Sequence, residues 1–272
     1  MKRRRFIAIM LMLCFSLSLM SGCFLSRLGK FTYFEQDGYA FRILFSYDAV
    51  LCTGFKEGYF EKEVTIPTKF ERSEDWYLGG IDLNAFSNTE IEKLYILDKD
   101  SIAGVTINFQ AFAFCLKLDT VELDIPSCCI SKQAFEGCSS LKTLDLSKIE
   151  SILIREQAFK DCTSLKNVLI GEIVPEWGME AWLDDEAFVN CADGFELTLR
   201  SKNPPLYSDG HYKKDADGNI LDEYVYSMDE SDWNPFEGIE DFKIFVPAEA
   251  VETYKTALGW RLYADHIFPI AE

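Results

Sequence analysis

One dipeptide governs what this chain can become. Ala-Phe occurs at Ala85-Phe86, Ala111-Phe112, Ala134-Phe135, Ala158-Phe159 and Ala187-Phe188, which sets successive Phe residues 26, 23, 24 and 29 positions apart. Four copies carry a Cys three residues after the Phe, at Cys115, Cys138, Cys162 and Cys191; the first has Thr89 there. Alternating apolar residues follow. Cys115 leads to Leu118, Val121 and Leu123, Cys138 to Leu141, Leu144 and Leu146, and Cys162 to Leu165, Val168 and Ile170. The flanking copies shift by one residue, giving Ile91, Leu94 and Ile96 in the first and Phe195, Leu197 and Leu199 in the last. An apolar-polar-apolar ending reads as a short strand with alternate side chains buried. The Ala-Phe segment before it reads as a helical turn or short helix packed behind that strand. A unit this small cannot bury its own apolar face, so consecutive units must stack.

The stretch Ala134-Phe135-Glu136-Gly137-Cys138-Ser139-Ser140-Leu141-Lys142 resembles the bacterial surface-antigen class of leucine-rich repeats, the BspA-like family, and residues 158–166 match it nearly as well. The resemblance covers roughly residues 64–200. It extends to the C-terminus, where Val246-Pro247 and Tyr254-Lys255, followed by Trp260 and Tyr263, look like the family's usual ending. It implies an α/β solenoid: a curved, right-handed leucine-rich-repeat stack with short parallel strands, an N-terminal β cap and a C-terminal cap. It also implies an exported surface or envelope protein linked to adhesion.

The ends divide the chain further. Lys2 to Arg5 are basic and Phe6 to Met20 form an apolar run of 15 residues, too short to span a bilayer comfortably and suited to a secretory signal. Met20-Ser21-Gly22-Cys23 resembles a bacterial lipobox, in which the Cys is acylated and becomes the mature N-terminus. Residues 1–22 are therefore expected to be a signal peptide and Cys23 the lipid attachment site. No later segment is apolar enough to cross a membrane, so contact with the membrane is expected through the lipid alone. Residues 23–63 are read as anchor, linker and β cap, with Tyr39–Leu44 and the start of the next segment, Val64 to Pro67, as cap strands. Residues 64–200 are the repeats, and 201–272 a hairpin insertion, last strand and C-terminal cap. In the insertion, Asp217-Gly218 between Tyr212 and Tyr224 reads as a hairpin turn. A calcium loop built from Asp215, Asp217, Asn219, Asp222 and Glu223 is the alternative, but the glycine is misplaced for the EF-hand spacing.

Nine Cys in an exported chain first suggest disulfides. Yet Cys115, Cys138, Cys162 and Cys191 hold one structural position, which suits a ladder of free buried thiols; neighbouring rungs are close enough for bonding to stay open. Cys128-Cys129 reads as a vicinal pair in a connecting loop.

A net charge of −18 opposes nucleic-acid binding, which needs a positive face. Only His211 and His266 are present, and neither sits in a catalytic or metal spacing. Asp184-Asp185-Glu186 reads as an acidic, solvated loop at a helix N-terminus, with Trp177 and Trp182 flanking it as packing residues. No catalytic residue, metal or cofactor is expected. If the strands line the concave face, the solvent-facing residues between the last two buried positions are Tyr95, Glu122, Asp145, Leu169 and Thr198, beside Lys93, Thr120, Thr143, Asn167 and Glu196. A protein partner at this face, in a lipoprotein of the cell envelope exposed at the surface, is the reading. An envelope scaffold, or an enzyme with its site in residues 201–240, are the alternatives.

Overall fold

The computed structural model describes residues 33–44, 48–101, 103–173, 181–208, 211–214, 220–225 and 233–271. The described residues open with β1 (Tyr33–Gln36), β2 (Tyr39–Leu44) and β3 (Ala49–Phe55), and then alternate between two sheets. In order come β4 (Glu63–Thr65), β5 (Tyr77–Ile81), β6 (Lys93–Leu97), β7 (Val105–Ile107), β8 (Thr120–Asp124) and β9 (Ser127–Ile130). They continue with β10 (Thr143–Leu146), β11 (Ser151–Ile154), β12 (Asn167–Ile170), β13 (Trp182–Asp184), β14 (Phe195–Leu199) and β15 (Leu206–Ser208). A separate hairpin pairs β16 (His211–Lys214) with β17 (Ile220–Val225). The end is β18 (Phe242–Val246), α1 (Val251–Thr256), a 3-10 stretch (Trp260–His266) and β19 (Ile267–Pro269).

The first sheet runs β1-β2-β3-β5-β7-β9-β11-β13-β15 and the second β19-β18-β14-β12-β10-β8-β6-β4. β1, β2 and β3 pair antiparallel, whereas the remaining pairs of both sheets are parallel. The molecule is thus a solenoid of parallel strands, as the repeat and the stacking argument demand.

Two features differ from the expectation. Each repeat contributes a second strand, for which β9 and β11 are the examples. Ser151–Ile154 is buried at all four positions, so it lacks the alternation that marks a half-exposed strand. Cys128 and Cys129 accordingly lie in β9 with buried side chains, not in a loop.

The second difference is that the Ala-Phe segments are tight turns, not helices; among the described residues α1 is the α-helix. The reason is in the backbone. The residue two before each Phe (Asn84, Gln110, Gln133, Gln157, Glu186) and two after it (Asn88, Phe114, Gly137, Asp161, Asn190) has φ between 52° and 71°. A right-handed helix cannot continue through a left-handed residue, which costs a non-glycine side chain roughly 1–2 kcal/mol. The turns are held from the neighbouring rung instead. The N–H of Phe86 donates to the Ala111 carbonyl (2.8 Å), Phe112 to Ala134 (2.8 Å), Phe135 to Ala158 (2.9 Å) and Phe159 to Ala187 (2.9 Å).

That ladder sets the aromatic rings face to face. Phe86, Phe112, Phe135, Phe159 and Phe188 stack at centroid separations of 5.2, 5.3, 5.3 and 5.6 Å with planes within 15° of parallel. All five are 0% exposed. The column extends at both ends: Phe55 of β3 meets Phe86 edge-on at 5.1 Å, and Phe236 follows Phe188 at 6.3 Å. Phe236 belongs to a further rung, since the Phe188 N–H donates to the Pro235 carbonyl just as the earlier Phe residues do to Ala. Pro235 in place of Ala, and Ile239 in place of Cys, hide that rung from a search for the motif.

Two substitutions separate the column from the turn. Phe135→Ala empties a ring site packed on both faces and is expected to cost about 3–5 kcal/mol, whereas Phe114→Asn relieves a left-handed position and is expected to gain about 1 kcal/mol. Urea midpoints of the two variants check both signs.

Candidate binding surface

The second sheet buries Leu94, Val121, Leu144, Val168 and Leu197 inward, so the residues between them face solvent. Register then decides which of those stand together. Tyr95 pairs with Glu122, Glu122 with Asp145, Asp145 with Leu169, and Leu169 with Thr198. The five residues picked from sequence form one row across five consecutive strands, each half-buried or exposed. Beside it, Lys93 pairs with Thr120, and Asn167 joins Thr143 to Glu196.

The row is longer than the motif shows. Thr65 precedes Tyr95, while Phe245 follows Thr198 and Phe268 follows Phe245. The Phe245 and Phe268 rings lie 6.3 Å apart, and Phe268 is 39% exposed. Sequence reasoning missed both. β18 belongs to the rung without Ala-Phe-x-x-Cys, and β19 is three residues ending in Pro, too short to give a period.

The row's middle is acidic. Lys148 donates to Glu122 (3.1 Å) and to Asp124 (3.3 Å), one ammonium shared by two carboxylates. Asp145 is exposed and accepts the Ser147 N–H at 2.8 Å.

Asp184 is not in a solvated loop. It closes β13 with 2% exposure, bonded to the Arg155 guanidinium at 3.2 Å, and no helix starts there. Its Oδ1 is buried without a hydrogen-bond partner. Burial outweighs the neighbouring guanidinium and pushes its carboxyl up to about 7. Asp185, also raised by burial, to about 6, accepts the Asn234 N–H at 2.6 Å. The cluster therefore fastens the segment that begins at Trp233, whose indole donates to the Leu183 carbonyl at 3.0 Å. Trp182 is half-buried in β13; Trp177 lies outside the described residues.

The repeat cysteines form a thiol ladder. Each Sγ donates to the carbonyl of the Phe one rung back: Cys115 to Phe86 (3.1 Å), Cys138 to Phe112 (3.2 Å), Cys162 to Phe135 (3.1 Å) and Cys191 to Phe159 (3.4 Å). None of the four is in a disulfide, nor is Cys52, Cys128 or Cys129. Burial pushes the Cys52 and Cys115 thiols up to about 12, and raises Cys162 and Cys191. Cys138 rises chiefly through its hydrogen bond with Cys162. Thr89, at the same offset in the first repeat, departs from the ladder: its hydroxyl donates to the Phe86 carbonyl of its own repeat at 2.7 Å.

His266 stacks on Phe242 at 4.2 Å with Nδ1 3.0 Å from the Phe242 carbonyl, a packing position. In the hairpin, Tyr212 pairs with Tyr224, and the turn between the strands, with Asp215, Asp217 and Asn219, lies outside the described residues. Among the described residues no group of three or more His, Cys, Asp or Glu is placed to hold a metal ion.

Residues 79–192 match the family model of the BspA type leucine rich repeat region, in six copies. No curated protein matches the chain. Among solved structures, a leucine-rich repeat protein from Bacteroides capillosus is 22% identical, with a TM-score of 0.40 over 50% of this chain and 96% of that one. The pneumococcal vaccine antigen PcpA is 16% identical, with a TM-score of 0.52 over 89% of this chain and 48% of the other, so this chain spans about half that antigen's length. A leucine-rich repeat protein from T. pallidum is 16% identical, with a TM-score of 0.32 over 62% and 82%. The likeness to the antigen supports the solenoid fold.

Two outcomes follow from the titrating groups. The native state holds a proton on Asp184 that the unfolded chain, with an ordinary carboxyl near 4, has already lost. Stability carried by this residue is therefore intact below pH 4 and falls as pH rises towards 7, by on the order of 1 kcal/mol per pH unit. Urea unfolding from pH 4 to 7.5 should show Asp184→Asn gaining on the parent across that window; parallel curves would contradict it. Iodoacetamide at pH 8 should leave Cys115, Cys138, Cys162 and Cys191 unmodified in the native protein and alkylate them after denaturation, read by peptide mass.

Proposed function

We propose that this is an exported, lipid-anchored leucine-rich-repeat protein that binds a protein partner at the bacterial cell surface through the outward face of its second sheet. One observation carries the reading: Tyr95, Glu122, Asp145, Leu169 and Thr198 stand on consecutive strands in one register. A repeat stack holds such a row rigidly over many ångströms, which suits an extended contact with another protein. The acidity of the chain argues against phosphate-rich partners.

The anchoring half of the reading rests on the N-terminal residues. The basic start, the apolar run to Met20 and the lipobox-like Met20-Ser21-Gly22-Cys23 support cleavage after residue 22 and acylation of Cys23. These residues lie outside the described ones. Among the described residues no helix is long and apolar enough to cross a membrane, in keeping with attachment through lipid. We divide the chain accordingly into a signal peptide (1–22), anchor, linker and β cap (23–63), repeats (64–200), and insertion with C-terminal cap (201–272). The BspA type of the repeats supports a surface location.

Intact mass of the native protein should report a diacylated N-terminal Cys23, and Cys23→Ala should move the protein from the membrane to the soluble fraction. Retention of the variant in membranes would contradict the anchor. Protease applied to intact cells should remove the protein if it faces outward, and full resistance would contradict surface exposure. Partners captured by the purified protein should be lost on Leu169→Arg with Thr198→Arg; capture unchanged by that pair would contradict the binding face.

A further inference from the structure

The row on the second sheet is chemically lopsided, and the asymmetry specifies a partner. At its N-terminal side Tyr95 is followed by Glu122 and Asp145, with Asp124 two residues along β8 from Glu122 on the same face. Lys148 is the ammonium bonded to Glu122 and Asp124, so with Asp145 these three carboxylates retain an excess of negative charge. At its C-terminal side the row turns apolar: Leu169, then Phe245 and Phe268 beyond Thr198. Elsewhere on this face the solvent positions are of the ordinary kind, such as Lys93 paired with Glu63 at 2.8 Å, Thr143 and Asn167. Two phenylalanines on the solvent side of a sheet, in contact with each other, have no counterpart in the middle rungs.

Resting on the binding face just proposed, we infer that its occupant is an extended segment of a partner protein. It carries two Lys or Arg residues at alternate positions, so that both face the sheet over Glu122 and Asp145, and an aromatic or large aliphatic residue over Phe245 and Phe268. Dimensions support a chain lying across the strands. Neighbouring strands are about 4.8 Å apart, so Asp145 and Phe245, three strands apart, are separated by about 14 Å. An extended chain advances about 3.3 Å per residue, placing the apolar anchor about four residues from the basic pair. An Arg at the N-terminal position also meets the Tyr95 ring, whose face attracts a cation. Opposite charge at one end and apolar burial at the other fix direction as well as affinity.

The test is a random-peptide display selection against the purified full-length protein. Selected peptides are then measured by fluorescence anisotropy on the parent and on Asp145→Lys, Phe268→Ser, Leu169→Arg with Thr198→Arg, and Glu252→Lys, an exposed control on α1. The expected result is enrichment of a basic pair followed by an apolar residue. Binding should weaken at least tenfold in Asp145→Lys and Phe268→Ser, weaken on raising salt, and stay unchanged in Glu252→Lys. Peptides that need Leu169 and Thr198 but lack basic residues and ignore Asp145→Lys would overturn the chemistry while leaving the face in place. Selected peptides indifferent to every variant of the row would overturn the face itself, and this inference with it.

Discussion

Each turn of this solenoid is closed by its neighbour. The Phe N–H that would be unpaired in an isolated Ala-Phe turn finds its acceptor in the Ala carbonyl of the next rung, and the ring it carries stacks on the next ring. A buried N–H left without a partner costs about 1–3 kcal/mol, and a ring left without its neighbours exposes apolar area on two faces. Neither turn nor ring is stable alone, so the repeat length, the two sheets and the row on the outer face all follow from stacking. The thiols obey the same rule, because each cysteine donates to a carbonyl supplied by the rung before it.

A stack of this kind must end, and its two ends are covered differently. At the N-terminal end β1 to β3 pair antiparallel, and the Tyr39 hydroxyl takes the Thr65 N–H on the open side of β4 at 3.1 Å. At the other end aromatic side chains do the covering. Trp260 donates to the Pro205 carbonyl at 2.8 Å, Tyr254 to Ser201 at 2.9 Å, and Tyr263 to Trp233 at 3.0 Å. β19 ends on Pro269, which has no N–H to offer and so discourages another strand from adding there.

The stack was legible from sequence because Phe and Cys recur at fixed offsets in sites that tolerate little else. So was the row from Tyr95 to Thr198, since strands that alternate cleanly declare which residues face out. What stayed hidden lacks periodicity. β11 reads as an unbroken apolar run, the turns carry left-handed residues as varied as Asn84, Gln133 and Phe114, and the rung at Phe236 has lost both its Ala and its Cys. Asp184 looks like one more surface acid until the fold places it at the end of a buried strand beside Arg155. Phe245 and Phe268 join the surface only through the pairing of β18 with β14 and of β19 with β18, two strands that no Ala-Phe-x-x-Cys motif marks.

Native-state hydrogen exchange at the backbone amides of Phe112, Phe135 and Phe159 tests the dependence of each rung on the next most directly. If the rungs close one another, these turn amides exchange as slowly as the strand amides of Val121, Leu144 and Val168, because both open only when the stack comes apart. Exchange at the three Phe amides that is orders of magnitude faster than in the strands would mean that the turns open one at a time, and would contradict the account.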